Sequence, residues 1–291
     1  LIIGAQKAGS TWIYDLLRKH DKVFLPKQVE LHFFNKKTCE EPENVEFYLK
    51  NFEHASDGHD WVGEKTPSYF WGSRAGFFKT QPPQLHNPNI PESVSRVLGH
   101  DLRLIVSLRH PVSRAISAYG HHGQRGRIKK NESLRDVAGR FGIGDIGFYD
   151  RHLEAWEKVF NPAQIIPLIF ESDIAAHPRK GVELLAGALD LDISGFYDLS
   201  LKASNGGIAR RILSDKIDMG IPDLQPVRPE DIRYMLKIYR STIANLKKRF
   251  KARLDCWDVE TSLFEDFSRK KGFQNKTKPS RGSQGNDFGG S

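Results

Sequence analysis

Residues Leu1-Ile2-Ile3-Gly4-Ala5-Gln6-Lys7-Ala8-Gly9-Ser10-Thr11-Trp12 decide the fold. An apolar run ends at Gly4, a glycine-bounded loop follows, and a helix is expected from Ser10. Gly4 and Gly9 lack the Cβ that would keep a backbone from wrapping round an anion, so the loop N–H groups and the helix N-terminus face one point. The order strand, loop, helix makes an anion cradle. A nucleoside-triphosphate P-loop reads G-x-x-x-x-G-K followed by serine or threonine. Here the glycines keep that spacing, but Ser10 stands where the lysine belongs, and Lys7 sits in the middle of the loop.

A second signal follows about a hundred residues later. The buried-strand pattern of 102–108 runs into Arg109-His110-Pro111-Val112-Ser113-Arg114-Ala115-Ile116-Ser117-Ala118-Tyr119. Pro111 and Ser113 mark a helix start, which leaves Arg109 at the carboxyl edge of the strand and Ser117 almost two turns into the helix. A guanidinium fork and a hydroxyl converging there can hold a second phosphate.

The two segments together resemble the sulfotransferases that use 3′-phosphoadenosine 5′-phosphosulfate (PAPS). Lys7, Ala8, Gly9, Ser10, Thr11 and Trp12 lie in the stretch similar to that family's 5′-phosphosulfate loop, and Arg109 and Ser117 match its 3′-phosphate pair at a spacing of eight. Gln28-Val29-Glu30-Leu31-His32-Phe33-Phe34 is similar to the K-E-x-x-F-F segment of the heparan sulfate branch and its bacterial relatives. Gly63-Glu64-Lys65-Thr66-Pro67-Ser68-Tyr69-Phe70 is similar to that branch's E-K-S/T-P-x-Y-F segment. The histidine segment of the cytosolic branch has no counterpart here. The resemblance covers about residues 1–257 and implies PAPS as co-substrate, a hydroxyl- or amine-bearing acceptor that is a glycan or glycoconjugate, and catalysis by Glu30, Lys7 and Lys65. A basic loop at 201–211 would then close over the nucleotide through Arg210 or Arg211, without the Lys-Gly-Arg and disulfide of the animal enzymes.

The chemistry constrains these roles. Sulfuryl transfer has a loose transition state with charge on peripheral oxygens, so positioning and cations do most of the work. Lys7 suits the bridging oxygen and Lys65 the transition-state charge. Glu30, beside Phe33 and Phe34, is the candidate base, and desolvation is expected to raise its pKa toward neutrality. With no H-E-x-x-H, paired cysteines at zinc spacing or aspartate cluster, no metal site is expected, and His121 and His122 read as helix-end residues or as acceptor lining. Two other classes fit parts of the pattern: a P-loop kinase using ATP, which wants lysine at position 10 and a magnesium-binding aspartate, and a non-catalytic nucleotide- or polyanion-binding module. A small-molecule alcohol is an alternative acceptor.

Strands are expected over 1–4, 22–25, 61–64, 102–108 and 164–170, and helices over 10–20, 43–52, 111–123, 146–160, 174–189 and 229–250. That alternation predicts an α/β fold, a P-loop-like mainly parallel sheet covered by helices on both faces, with ligands at the carboxyl ends of the strands. At 291 residues and 38% hydrophobic, the chain supports one sulfotransferase domain over 1–268. The stretch 269–291 holds six basic residues and one acid among glycine, serine and asparagine, which reads as a disordered tail. The rest is only modestly basic, so nucleic acid is not an expected partner. A proline-rich loop over 79–91, with 124–130 and its Arg125, Arg127, Lys129 and Lys130, is expected to frame the acceptor cleft. No apolar run reaches the roughly eighteen residues of a membrane span, and two cysteines favour a reducing compartment. The expected location is cytoplasmic, or the Golgi lumen if an upstream anchor has been trimmed.

Overall fold

The computed structural model describes residues 1–71, 78, 87–196 and 216–270. Its centre is a parallel sheet. Strand β1 (Ile2–Gly4) pairs with β4 (Leu104–Leu108), and β4 with β5 (Ile165–Ile169); β2 (Val23–Phe24) pairs with β3 (Trp61–Val62). The chain after β3 joins the two groups: Ile2 N donates to Glu64 O at 2.9 Å and Thr66 N to Ile2 O at 3.1 Å, so the spatial order is β2-β3-β1-β4-β5. Every residue of β4 is buried, as expected for a central parallel strand with both faces covered.

Alternation along the strands supplies those two faces. Ile2, Ile105 and Leu168 pack with Trp12, Ile13, Leu16 and Leu17 of α1 (Ser10–Leu17) and with Val182 and Leu185 of α6 (Pro178–Leu189). Ile3, Leu104, Val106 and Leu108 point the other way. They meet α3 (Ile90–Leu98) and α5 (Tyr149–Glu157), with Leu246 of α7 (Pro229–Phe250) and Trp257 of α8 (Cys256–Arg269) behind. Each large apolar side chain so enclosed contributes about 1.5–3 kcal/mol. The remaining helices, α2 (Pro42–Leu49) and α4 (Pro111–Gln124), follow β2 and β4. The expected α/β fold with helices on both faces is the observed one.

Several boundaries differ from expectation. Residues 90 and 91, assigned to the proline-rich loop, open α3, because Pro91 lies in the first turn, where no N–H is needed. The remainder of that loop, apart from 87–89, lies outside the described residues. The helix expected from 174 begins at Pro178, since Phe170–Ala176 forms a π-helical turn first. Helix α8 was not expected and runs to Arg269, the first residue of the assigned tail; 271–291 lie outside the described residues. No described helix is long and apolar enough to cross a membrane.

Candidate active site

The loop after β1 is pinned from below. Ala5 N donates to Ser107 O at 3.0 Å, and the Ser107 hydroxyl donates back to Ala8 O at 2.5 Å. Ala8 is fully buried, its N–H donates to Ala5 O, and it does not line the cavity. Lys7 and Gly9 take left-handed backbones, φ 66° and 98°. A Cβ on Gly9 would sit 2.9 Å from the Phe170 ring, so the turn requires glycine.

The cavity above this loop measures about 370 Å³, within the range of small-ligand sites. Lys7, Gly9, Ser10, Thr11 and Trp12 line it, as do Glu30 and His32, Arg109, His121 near the end of α4, and Arg125 and Arg127 just beyond that helix. The strand order explains the meeting: β1 and β4 are neighbours, so both of their carboxyl ends open on one crevice. Ser117 is the exception. It is half-buried on α4, one turn before His121, and does not line the cavity. Arg210 and Arg211 lie outside the described residues.

Arg109 is 4% exposed, with its guanidinium carbon 4.6 Å over the Phe170 ring and Nη1 donating to Lys7 O at 3.4 Å. Among the described residues its buried Nε has no partner, nor have Gln6 Oε1 and Trp12 Nε1. Buried polar atoms left unpaired at a cavity are groups a polar ligand would satisfy. Four cations, Lys7, Arg109, Arg125 and Arg127, face a single carboxylate in the cavity lining. Burial and the neighbouring Arg109 and Arg125 lower the Lys7 pKa. Burial and the same run of cations push His121 down to about 4, so it is neutral at pH 7 and accepts from Arg125 at 3.0 Å.

Glu30 corrects the expectation of a raised pKa. Its segment is not a strand: Glu30 and His32 both have left-handed backbones, φ 67° and 53°. The carboxylate lies 3.5 Å from His32 Nε2 and 3.1 Å from Lys65 Nζ. Asn35 Nδ2 lies 3.1 Å from His32 Nδ1; with Asn35 as donor, the ring proton sits on Nε2, facing Glu30. The His32 hydrogen bond and the Lys65 charge outweigh desolvation and hold Glu30 down at about 2. The sequence signal for Glu30 was its aromatic neighbourhood; Lys65 is 35 positions away and escaped that reading. Lys65 itself, expected as a lysine beside the acceptor, is 3% exposed and also reaches Thr11 Oγ1 at 3.4 Å. Sequence reasoning passed over His32 as a functional residue, although its two-residue spacing from Glu30 was in view. Of the expected acceptor-framing cations, Lys130 turns away to pair with Asp223 at 2.6 Å.

Comparison with known proteins identifies the family and the fold. The model of the sulfotransferase domain family matches residues 1–201. The chain is similar to human heparan sulfate glucosamine 3-O-sulfotransferase 6, 31% identical over 169 residues, which is 55% of this chain and 43% of that protein. It is also similar to the membrane-associated sulfotransferase kil1 of Dictyostelium discoideum, 28% identical over 135 residues, 46% of this chain and 24% of that protein. The chain thus spans less than half the length of these relatives. A solved sulfotransferase from Alicyclobacillus acidocaldarius shares the fold at TM-score 0.62 and 18% identity, covering 88% of this chain and 97% of that one. With the family match extending over both the β1 loop and the Arg109 segment, the chain belongs to the sulfotransferase family.

Proposed function

We propose that this protein moves a sulfuryl group from PAPS to a hydroxyl or amine of a carbohydrate or glycoconjugate. The observation that carries the reading is the meeting, in one cavity, of a glycine-bounded anion loop, the Arg109 guanidinium and the Glu30 carboxylate, with which the buried Lys65 pairs at 3.1 Å. The loop from Lys7 to Thr11 would take the phosphosulfate and Arg109 the 3′-phosphate; Ser117, which does not line the cavity, is not assigned to it. The similarity to heparan sulfate 3-O-sulfotransferases supports a glycan acceptor.

In the transfer, the acceptor oxygen forms a bond to sulfur as the bond from sulfur to the bridging oxygen breaks. Lys7 meets the charge that develops on that oxygen, and the acceptor's proton passes to Glu30. A carboxylate held at about 2 is ionised and ready but a weak base. An anionic donor beside Lys65 and Lys7 offsets the positive charge that depresses Glu30, so its proton affinity rises as the donor binds. The base becomes effective only in the loaded site.

A transfer assay with radiolabelled PAPS against glycans, glycolipids and small alcohols tests the reading. Label on a glycan supports it, label on a small alcohol alone replaces the acceptor, and a protein that binds PAPS but moves no label to any acceptor refutes it. Arg109→Ala should weaken adenosine 3′,5′-bisphosphate by about 10- to 100-fold, the scale of lost charge-assisted hydrogen bonds, and adenosine 5′-monophosphate far less. Equal losses would remove Arg109 from the 3′-phosphate site.

A further inference from the structure

Glu64 is a carboxylate that the transfer chemistry does not use. It is 2% exposed, and it sits among Phe34, Tyr48 and Tyr69 in the core beneath the cavity. Glu64 and Lys65 are consecutive residues on the extended stretch beside β1, so their side chains point to opposite faces. Lys65, itself buried, reaches the Glu30 carboxylate at 3.1 Å. Glu64 goes into the core and collects three hydroxyls: Tyr69 OH at 2.7 Å and Tyr48 OH at 3.3 Å on Oε1, and Thr66 Oγ1 at 2.8 Å on Oε2.

Each of these hydroxyls donates to Glu64, so each commits its proton there and turns its lone pairs outward. Two of them then accept backbone N–H groups from the Glu30 segment. His32 N donates to Thr66 Oγ1 at 3.2 Å, and Phe34 N donates to Tyr69 OH at 3.3 Å. The third, Tyr48 OH, has no such bond to this segment; its ring stacks on Phe33 with centroids 4.2 Å apart. The gripped amides lie two and four residues after Glu30, and one is that of His32; within this segment Glu30 and His32 have left-handed backbones. Such conformations persist only where the surroundings over-determine them. A purely packing role would be served as well by an apolar side chain of similar volume.

We propose that Glu64 is a positioning residue, which aims the Glu30 carboxylate by orienting the Thr66 and Tyr69 hydroxyls that hold the backbone at His32 and Phe34. The proposal rests on Glu30 being the base. It makes Glu64 and Lys65 two halves of one device, one gripping the backbone of the Glu30 segment from the core and the other its carboxylate.

The test compares Thr66→Val, Thr66→Ser, Tyr69→Phe, Tyr48→Phe, Glu64→Gln and Glu30→Gln. The readouts are amide hydrogen exchange at His32 and Phe34, Kd for adenosine 3′,5′-bisphosphate, and kcat for loss of label from PAPS in the presence of heparan sulfate. That last readout counts transfer to glycan and to water alike. Thr66→Val and Tyr69→Phe should speed exchange at His32 and Phe34 respectively and lower kcat by roughly 10- to 100-fold, the cost of a misplacement near 1 Å. The nucleotide Kd should stay within about twofold in both variants, since neither residue holds the anion loop. Thr66→Ser, which keeps the hydroxyl, should restore kcat, and Tyr48→Phe should leave it within about twofold, because that hydroxyl does not reach the segment. Glu64→Gln should behave as the two hydroxyl losses combined; if it does not fold, the hydroxyl variants carry the test. Retained kcat in Thr66→Val beside a lost kcat in Glu30→Gln overturns the relay, as does a Tyr48→Phe loss equal to that of Tyr69→Phe. Retained kcat in Glu30→Gln overturns the assignment of the base, and the positioning role with it.

Discussion

Replacing Lys65 by methionine isolates its charge, which acts beside the larger His32 hydrogen bond to hold Glu30 down. The two charged atoms are 3.1 Å apart, with the lysine side chain 2% exposed and the carboxylate 40% exposed. At the dielectric of water, unit charges at that distance attract by about 1.3 kcal/mol, and at half that dielectric by about 2.7 kcal/mol. The exposure of Glu30 keeps the pair near this screened end of the scale. With about 1.4 kcal/mol to each pH unit, the carboxyl of Lys65→Met should titrate about one to two pH units higher than in the parent. Stability should change little. Methionine fills a similar volume without a buried charge, and the carboxylate left behind keeps both water and His32, so the usual penalty for orphaning a buried partner does not apply. Turnover should nevertheless fall by about 10²- to 10³-fold, the scale of removing one donor that meets transition-state charge. Carbon-13 NMR of labelled glutamate carboxyls reads the titration, calorimetry the stability, and labelled PAPS the turnover. A Glu30 titration that does not move, or a kcat within threefold of the parent, would refute the electrostatic account of the pair.

Gly9→Ala should destabilise the protein by about 1–3 kcal/mol, because φ 98° penalises any Cβ and the new atom would meet Phe170 at 2.9 Å; a melting temperature equal to the parent's would show that the turn adapts. The carboxyl of Glu171 accepts from His110 N and Trp257 Nε1 at 2.8 and 2.9 Å, and burial and then the neighbouring Glu260 charge push it up to about 7. An acid so raised holds its proton more tightly when folded, so its contribution is complete below the unfolded carboxylate range and is lost as pH rises through about 7. Glu260→Gln removes one cause of the rise, and urea melts from pH 5 to 8 should show a smaller loss of stability than in the parent; equal losses would break the link between the two carboxyls.

What was legible in the sequence was what short range decides. The strand, loop and helix of 1–20 announce themselves because glycine spacing and apolar alternation are local, and the bounds of α7 were readable because Pro229 opens it and its apolar stripe keeps a period of three and four. Helix α8 escaped because its inward face rests on three aromatics, Trp257, Phe264 and Phe267, while Val259 and Leu263 are exposed and blur the stripe. Helix α3 escaped because Pro91 was taken as a breaker when it sits where a helix tolerates proline. The Glu30 pKa was misjudged for a different reason. Apolar neighbours in sequence argued for desolvation, whereas the deciding partners are a histidine two residues on and a lysine brought in by a separate strand.

The same separation of local from distant explains the balance of charge in the cleft. Lys7, Arg109, Arg125 and Arg127 come from a loop, a strand end and a helix end, each of which carries its cations in isolation without penalty; only the parallel pairing of β1 with β4 gathers them round one cavity. Burial lowers the Lys7 pKa, and Arg109 and Arg125 lower it further, which registers the resulting repulsion. A ligand with several negative charges relieves that repulsion and satisfies the unpaired Arg109 Nε at once, which a neutral ligand cannot do. The positive charge of the cavity therefore favours a polyanion, and among the described residues that line it Glu30, kept ionised by His32 and Lys65, is the one carboxylate and the proton acceptor of the proposed transfer.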